Sequence, residues 1–412
     1  MMYPVAAISL VRGRQAAAGS RGAPGSKLHA AQARVYRMSE TLAGTRPAPR
    51  IELLDADGFR QAGQRSAYLE ALLASGPSRY IDNARVEMTA VRIDDVVLPL
   101  VRGNPGLRNA DSCSPCSHYV RYTLEELLKR HPVLPAWPFR ALFGAYGALL
   151  RACSLDRVLY LNNWLFATNP HQGLNADQLR RLTDFLRSRC PGHALVQRCV
   201  NPRLHPDYRD ALAAAGFRMV NSRRVYLLDP RSERFRDSGN AKLDLQLLER
   251  SPYEVIGGER IGEAEIPRLA ELYRSLYIDK HSSLNPGLTE AFFALTLRGS
   301  DLQYRALKRA GAIDGFIVFF VGGGVLTGAF IGYDRGRPRK LGLYRQLIAV
   351  LIAEARDRGL LLNLSAGAAE FKSLRGAFPV IEYDAIYDRH LSPRRRLAWW
   401  LVTQQGRAWG LA

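Results

Sequence analysis

Twice along these 412 residues the apolar pattern runs strand, helix, strand, short helix, glycine, strand. In the earlier half it occupies 158–165, 177–189, 194–200, 207–215, Gly216 and 223–228. In the later half Leu343, Leu347, Ile348, Leu351, Ile352 and Ala355 form one helical stripe that ends at Gly359. Strand 360–365 follows, then a short helix bearing Phe371-Lys372-Ser373-Leu374-Arg375-Gly376, then strand 381–389. A shared order of this kind predicts a duplicated domain. The fold class expected is α/β (α+β), with two tandem domains, each a mixed, mostly antiparallel sheet flanked by helices.

The later half opens with strand 253–256 and a helix whose stripe is Ile266, Leu269, Ala270, Tyr273, Leu276 and Tyr277. The loop from Lys280 to Pro286 leads to a short helix near Thr289 and three strands, 302–309, 315–321 and 325–333. Gly322-Gly323-Gly324 divides the most apolar stretch, 316–332, into two strands joined by a turn, so it is not expected to span a membrane. The polar run PRSERFRDSGNA reads as a linker, placed at 231–241. The boundaries expected are a basic tail over 1–50, disordered or a mis-called start ahead of Met38, then domains over 51–230 and 242–412.

The net charge of +20 points towards phosphorylated ligands, nucleic acid or an anionic surface. The tail holds +7 of it. Only seven of the 58 basic residues are lysines, and three of those, Lys280, Lys340 and Lys372, fall inside motifs singled out here. Five cysteines in so long a chain make no disulfide framework and suit a reduced, cytoplasmic protein. Cys113 and Cys116 have half a zinc spacing with no second half, so no metal is expected.

The loop Arg335-Gly-Arg337-Pro-Arg339-Lys340-Leu-Gly342 runs from a strand into a helix. A helix start offers unpaired N–H groups and partial positive charge, and glycine lets a diphosphate approach the backbone. Arg337, Arg339, Lys340 and Gly342 are therefore candidate phosphate contacts.

With these residues in place, the later half resembles a GNAT-type acyltransferase domain, in particular the FemAB-like branch with two such domains in tandem. In the superfamily an Arg/Gln-x-x-Gly-x-Gly/Ala loop holds the pyrophosphate of acyl-coenzyme A. Arg339-Lys340-Leu341-Gly342-Leu343-Tyr344 matches its Arg and first Gly and departs at Tyr344. Phe371-Lys372 and Gly376 match a FemAB-like pattern, which implies donor handling for Lys372; Arg375 lies one turn on. The resemblance covers about 250–391 and extends over 51–230 by element order alone.

It implies attack of an amine, on a small molecule or peptide, upon a thioester or ester carbonyl. Acyl-coenzyme A, acetyl-coenzyme A in the first place, is the expected co-substrate. The alternatives are an aminoacyl group carried on tRNA, an acyl carrier protein as donor carrier, or a non-catalytic pair that binds RNA or a carrier protein. Candidate proton-transfer groups are His281, in the loop where the acceptor commonly lies, and Tyr383 and Tyr387, four apart on one strand. Glu370 and Glu382 are further carboxylates near the motif, and Asn162, Asn163 and Trp164 are candidate pocket residues in the first half. The basic, Trp-containing C-terminal helix is expected to dock its Trp face on the domain.

Overall fold

The computed structural model describes residues 50–105, 108–133, 135–171 and 173–408. Apart from Arg50, the tail expected over 1–50 lies outside them. Among the described residues twelve strands form one sheet: β1 (Ile51–Leu54), β2 (Glu87–Ile93), β3 (Val96–Arg102), β4 (Val158–Leu161), β5 (Ala194–Val200), β6 (Arg218–Leu228), β7 (Glu254–Gly257), β8 (Gln303–Arg309), β9 (Ala312–Gly322), β10 (Val325–Tyr333), β11 (Leu361–Asn363) and β12 (Phe378–Tyr387). The helices that matter below are α1 (Ala67–Ser75), α2 (Ala176–Arg189), α3 (Pro206–Ala214), α4 (Gly239–Glu249), α5 (Ile266–Arg274), α6 (Glu290–Arg298), α7 (Leu343–Asp357), α8 (Ala369–Ser373) and α9 (Pro393–Ala408).

Across the sheet the order is β1-β2-β3-β4-β5-β12-β6-β11-β10-β9-β8-β7. With β1–β6 as one set and β7–β12 as the other, this order is symmetric about its centre. Each half is mostly antiparallel, with one parallel pair at the equivalent place, β4 with β5 and β10 with β11. This is the mixed α/β architecture, two matching and mostly antiparallel halves flanked by helices, that the repeated pattern predicts. The central exchange is a feature of the fold alone: β12 lies between β5 and β6, and β6 lies between β12 and β11. Each half completes its sheet with the last strand of the other.

Three apolar clusters follow from this. On the back face, α2 and α3 cover the first half with Leu179, Leu182, Leu186 and Leu212. On the same face α4 and α7 cover the second half, with Leu347, Leu351 and Ile352 against Ile317, Phe319 and Leu362. On the front face a single cluster spans both halves and takes in Tyr68 of α1, Leu269 of α5, Phe292 and Phe293 of α6 and Trp399 of α9. β9 feeds both faces, Phe316, Val318 and Phe320 to the front and Ile317 and Phe319 to the back, hence its unbroken apolar run. Gly323 and Gly324, both at positive φ, make the two-residue turn between β9 and β10.

The stretch read as a linker is structured. Ser232 and Ser238 cap two helices, Glu233–Arg236 and α4, each accepting from a backbone N–H three residues on. Phe235 and Ala241 are buried, and these two apolar residues among polar ones anchor the segment. The C-terminal helix docks with Trp399 1% exposed, while Trp400 stays 49% exposed. No helix among the described residues is long and apolar enough to cross a membrane.

Candidate active site

The Phe371–Gly376 motif sits behind the turn that leaves β11. Ser365 takes a left-handed conformation there (φ 58°), and its N–H donates to Asn363 Oδ1 at 2.9 Å. The turn presents three carbonyls inward. Lys372 Nζ donates to all three, Leu364 O at 2.7 Å, Ser365 O at 3.1 Å and Ala366 O at 2.7 Å. The side chain is 3% exposed. Burial, with the positive charge of Arg223 nearby, pushes its pKa down to about 7. Three acceptors matched to three ammonium donors pull the other way. Gly376 has φ 87°, and a Cβ there would lie 2.7 Å from Arg234 O, so the motif's glycine follows from close backbone approach.

From this turn a polar network crosses the centre of the sheet. Ser365 Oγ lies 3.3 Å from Thr168 Oγ1, which accepts from an Arg223 guanidinium nitrogen at 2.7 Å. Arg223 Nε donates to Glu382 Oε2 at 2.9 Å, and Asn201 Nδ2 to Glu382 Oε1 at 3.4 Å. Glu382 is 1% exposed. This network borders a cleft between the halves, whose walls include Asn162, Arg198, Cys199, Thr327 and Asn363. His171 and His205 stack face to face at its rim, ring centres 3.6 Å apart. Burial and the neighbouring His205 push His171 down to about 4, so the pair is neutral at pH 7. Burial raises the Cys199 thiol, and Arg223 and Arg198 only partly oppose it.

The backbone is irregular where these side chains converge. Arg198 and Cys199 together oppose Asp384 alone, with Cys199 at φ 61°. Between the pairs Glu382–Arg223 and Tyr383–Asn221, Ser222 is an extra residue in β6. Bulges on both sides of β12 re-aim side chains towards the cleft.

The basic loop lies at the other end of β10. Arg339–Leu341 form a 3-10 turn, Gly342 is left-handed (φ 61°), and α7 begins at Leu343. Arg339 and Lys340 are exposed, whereas Arg337 pairs with buried Asp314 at 2.9 Å. A Cβ on Gly342 would stand 2.9 Å from Leu247 of α4. Tyr344 leans on Phe371, ring centres 4.7 Å apart. Arg375 is 5% exposed; its Nε meets one oxygen of Asp244, its NH1 donates to Phe371 O, and Arg345 meets the other Asp244 oxygen at 2.6 Å. Asp244 thereby ties α4, α7 and the turn that follows α8 together.

The sequence candidates thus separate into three places. Lys372 supports the turn that feeds the cleft. Arg339, Lys340 and Gly342 stand at the start of α7, with Arg375 buried beside them as a strut. His281 is elsewhere, exposed at the end of a π-helical turn, with its carbonyl accepting from Lys129 Nζ at 2.5 Å. Partial burial, Lys280 and Lys129 hold its imidazole below the ordinary range. Tyr383 packs on the back face with Tyr387, because alternation along β12 turns it away from Glu382. Asn162 lines the cleft, and Asn163 and Trp164 are buried in the turn beside it. Sequence reasoning does not find Arg223, Thr168 or Ser365, because only the strand exchange brings them together, nor the two histidines, which meet from separate loops of the first half.

No protein-family model matches the chain, and no curated protein sequence matches it. Among solved structures it is similar to FemX, at 9% identity and TM-score 0.45 over 78% of this chain and 91% of that one. It is also similar to L-PGS from Bacillus licheniformis, at 13% identity and TM-score 0.39, over 54% and 77% of the two chains. A tandem GNAT protein from the clavulanic acid biosynthesis pathway aligns at 11% identity and TM-score 0.36, over 82% and 98%.

Proposed function

We propose that this chain is an acyltransferase that moves an acyl group from a phosphate-bearing carrier to an amine held between the two halves. The observation that carries this reading is the parting of β10 and β11. They pair in parallel only as far as Thr327 and Asn363, and β10 then continues without β11, paired on its other edge with β9 past a bulge between Gly328 and Phe330. An extended acyl carrier can lie along the free stretch, with its phosphates towards Arg339, Lys340 and the N–H groups of α7. Its carbonyl then points at the Ser365 turn. An amine near Glu382 and Asn363 is drawn in as a cation, and needs only to lose a proton to attack. Lys372 acts through that turn, keeping its geometry fixed.

Acyl-coenzyme A is the first donor to test. Isothermal titration with coenzyme A should show saturable binding that falls at least tenfold in the Arg339→Ala, Lys340→Ala double variant. Equal affinity in the two proteins overturns the assignment of that loop, and no binding at all overturns coenzyme A as the donor.

One observation favours a second donor. Leu247 against Gly342, and Tyr344 against Phe371, narrow the helix start that a pyrophosphate would occupy. A carrier whose phosphates lie outside, such as aminoacyl-tRNA, fits the exposed cations without entering that gap. Tight tRNA binding with steep salt dependence, and no coenzyme A binding, would select it.

A further inference from the structure

The bulged residue of β6 faces a histidine. Ser222 Oγ lies 3.3 Å from His118 Nε2, and the other ring nitrogen, Nδ1, lies 3.7 Å from Asp111 Oδ2. All three side chains are partly exposed, as a reacting group must be. Serine, histidine and carboxylate stand in the order that activates a hydroxyl for attack.

Each member is fixed by its surroundings. Ser222 is the unpaired residue of the bulge, one position before Arg223, so the same irregularity that aims the guanidinium at Glu382 frees the hydroxyl. His118 stands in a π-helical turn, Ser117–Tyr122, a rare form that is frequent at functional sites. Ser117 Oγ holds that turn by donating to Asn109 O at 2.7 Å. The ring meets Tyr119 edge-on, and Tyr119 donates to Asp384 at 2.6 Å. Asp111 is placed by its N–H on Leu284 O at 2.8 Å. With Nε2 accepting from Ser222, the proton is on Nδ1, which is buried and makes no hydrogen bond among the described residues. Its nearest carboxylate is Asp111. Such bonds are often long before substrate binds and shorten in the loaded site.

We infer that Ser222 is a nucleophile activated by His118, with Asp111 orienting the imidazole, and that acyl groups pass through an ester on Ser222. This rests on the acyl-transfer reading for its donor. Ser222 Oγ bonds to the acyl carbon as its proton moves to His118 Nε2. The carrier's thiolate or alkoxide departs and takes that proton. The acceptor amine then attacks the acyl-serine carbon, gives its proton to His118 Nε2, and the proton returns to Ser222 Oγ as the ester bond breaks. No oxidant, reductant or further reactant is required.

A fluorophosphonate probe tests this without an acyl donor. Intact mass and peptide mapping of the whole chain should place one adduct on Ser222. Labelling should disappear in Ser222→Ala and slow at least tenfold in His118→Ala and in Asp111→Asn, with thermal melts matching wild type. A Ser222→Cys protein keeps a nucleophile in place, and its alkylation by iodoacetamide should slow when His118 is also removed. No adduct on folded wild type, or a labelling rate indifferent to His118, overturns the inference. Acyl transfer with no adduct and with sequential kinetics would defeat this proposal and leave the transferase reading standing. An adduct without any acyl transfer would keep the activated serine and defeat the transferase reading, and with it the passage of acyl groups through Ser222.

Discussion

Arg223 and Glu382 meet at 2.8 Å across the seam between β6 and β12, so the ion pair at the centre of the cleft joins strands contributed by different halves of the sequence. Glu382 is buried and Arg223 is partly buried, and each is also hydrogen-bonded beyond the pair. Removing one partner leaves the other charged with little solvent around it, at a cost of up to about 3–5 kcal/mol. Glu382→Gln should therefore lower the urea midpoint clearly, and Arg223→Met with Glu382→Leu should recover much of the loss. If each single change is silent in denaturant melts, the pair does not hold the seam.

Lys372 gives a pH signature. Its folded pKa, about 7, is below the value of about 10.5 for an unfolded lysine. Between these values the unfolded chain binds the extra proton, so this group makes stability rise with pH across that window. The penalty is fully present below pH 7. Urea melts of wild type and Lys372→Met at pH 6, 8 and 9.5 should show wild type gaining on the variant as pH rises. A difference independent of pH would mean that the three carbonyls keep the ammonium charged throughout.

The stacked histidines predict the acid side. His171 is depressed to about 4 from about 6.5, so on acidification the unfolded state takes up a proton that the folded rim resists. Stability present above pH 6.5 should drain away between 6.5 and 4. His171→Phe should remove most of that slope in parallel melts. An unchanged slope would assign it to other groups.

Asp244 is fully buried and serves two arginines, Arg345 and Arg375. Asp244→Asn keeps the shape and deletes the charge. It should destabilise by about 3–5 kcal/mol, as losing one member of a buried ion network does, and loosen the start of α7. Hydrogen exchange at 343–346 should accelerate by more than in the remainder of α7. Uniform exchange along the helix would show that the triad does not secure that end.

Much of the architecture is legible in the sequence because it follows from periodicity. The stripe on α7, the glycine turn between β9 and β10 and the repeated element order all translate into backbone directly. Ser232 and Ser238 also carry a signal, since each begins a capped helix, but the polar run around them reads more simply as a linker. The cleft is different in kind. Glu382 can be seen as a carboxylate near the motif, yet its partner Arg223 is one arginine among many, 159 positions away. Which arginine meets it depends on β6 and β12 changing places, and no local pattern records that. The extra residue at Ser222 is equally silent, because a bulge is a property of a pair of strands.

The exchange of β6 and β12 has a consequence during synthesis. While only the first half has been made, β5 and β6 lack the strand that separates them in the finished sheet, and that place stays unfilled until β12 is synthesised. Exposed strand edges of this sort recruit the wrong neighbour when they wait too long. Translation speed across the second half therefore sets how long the nascent chain stays vulnerable, and a stall there would endanger the half already made.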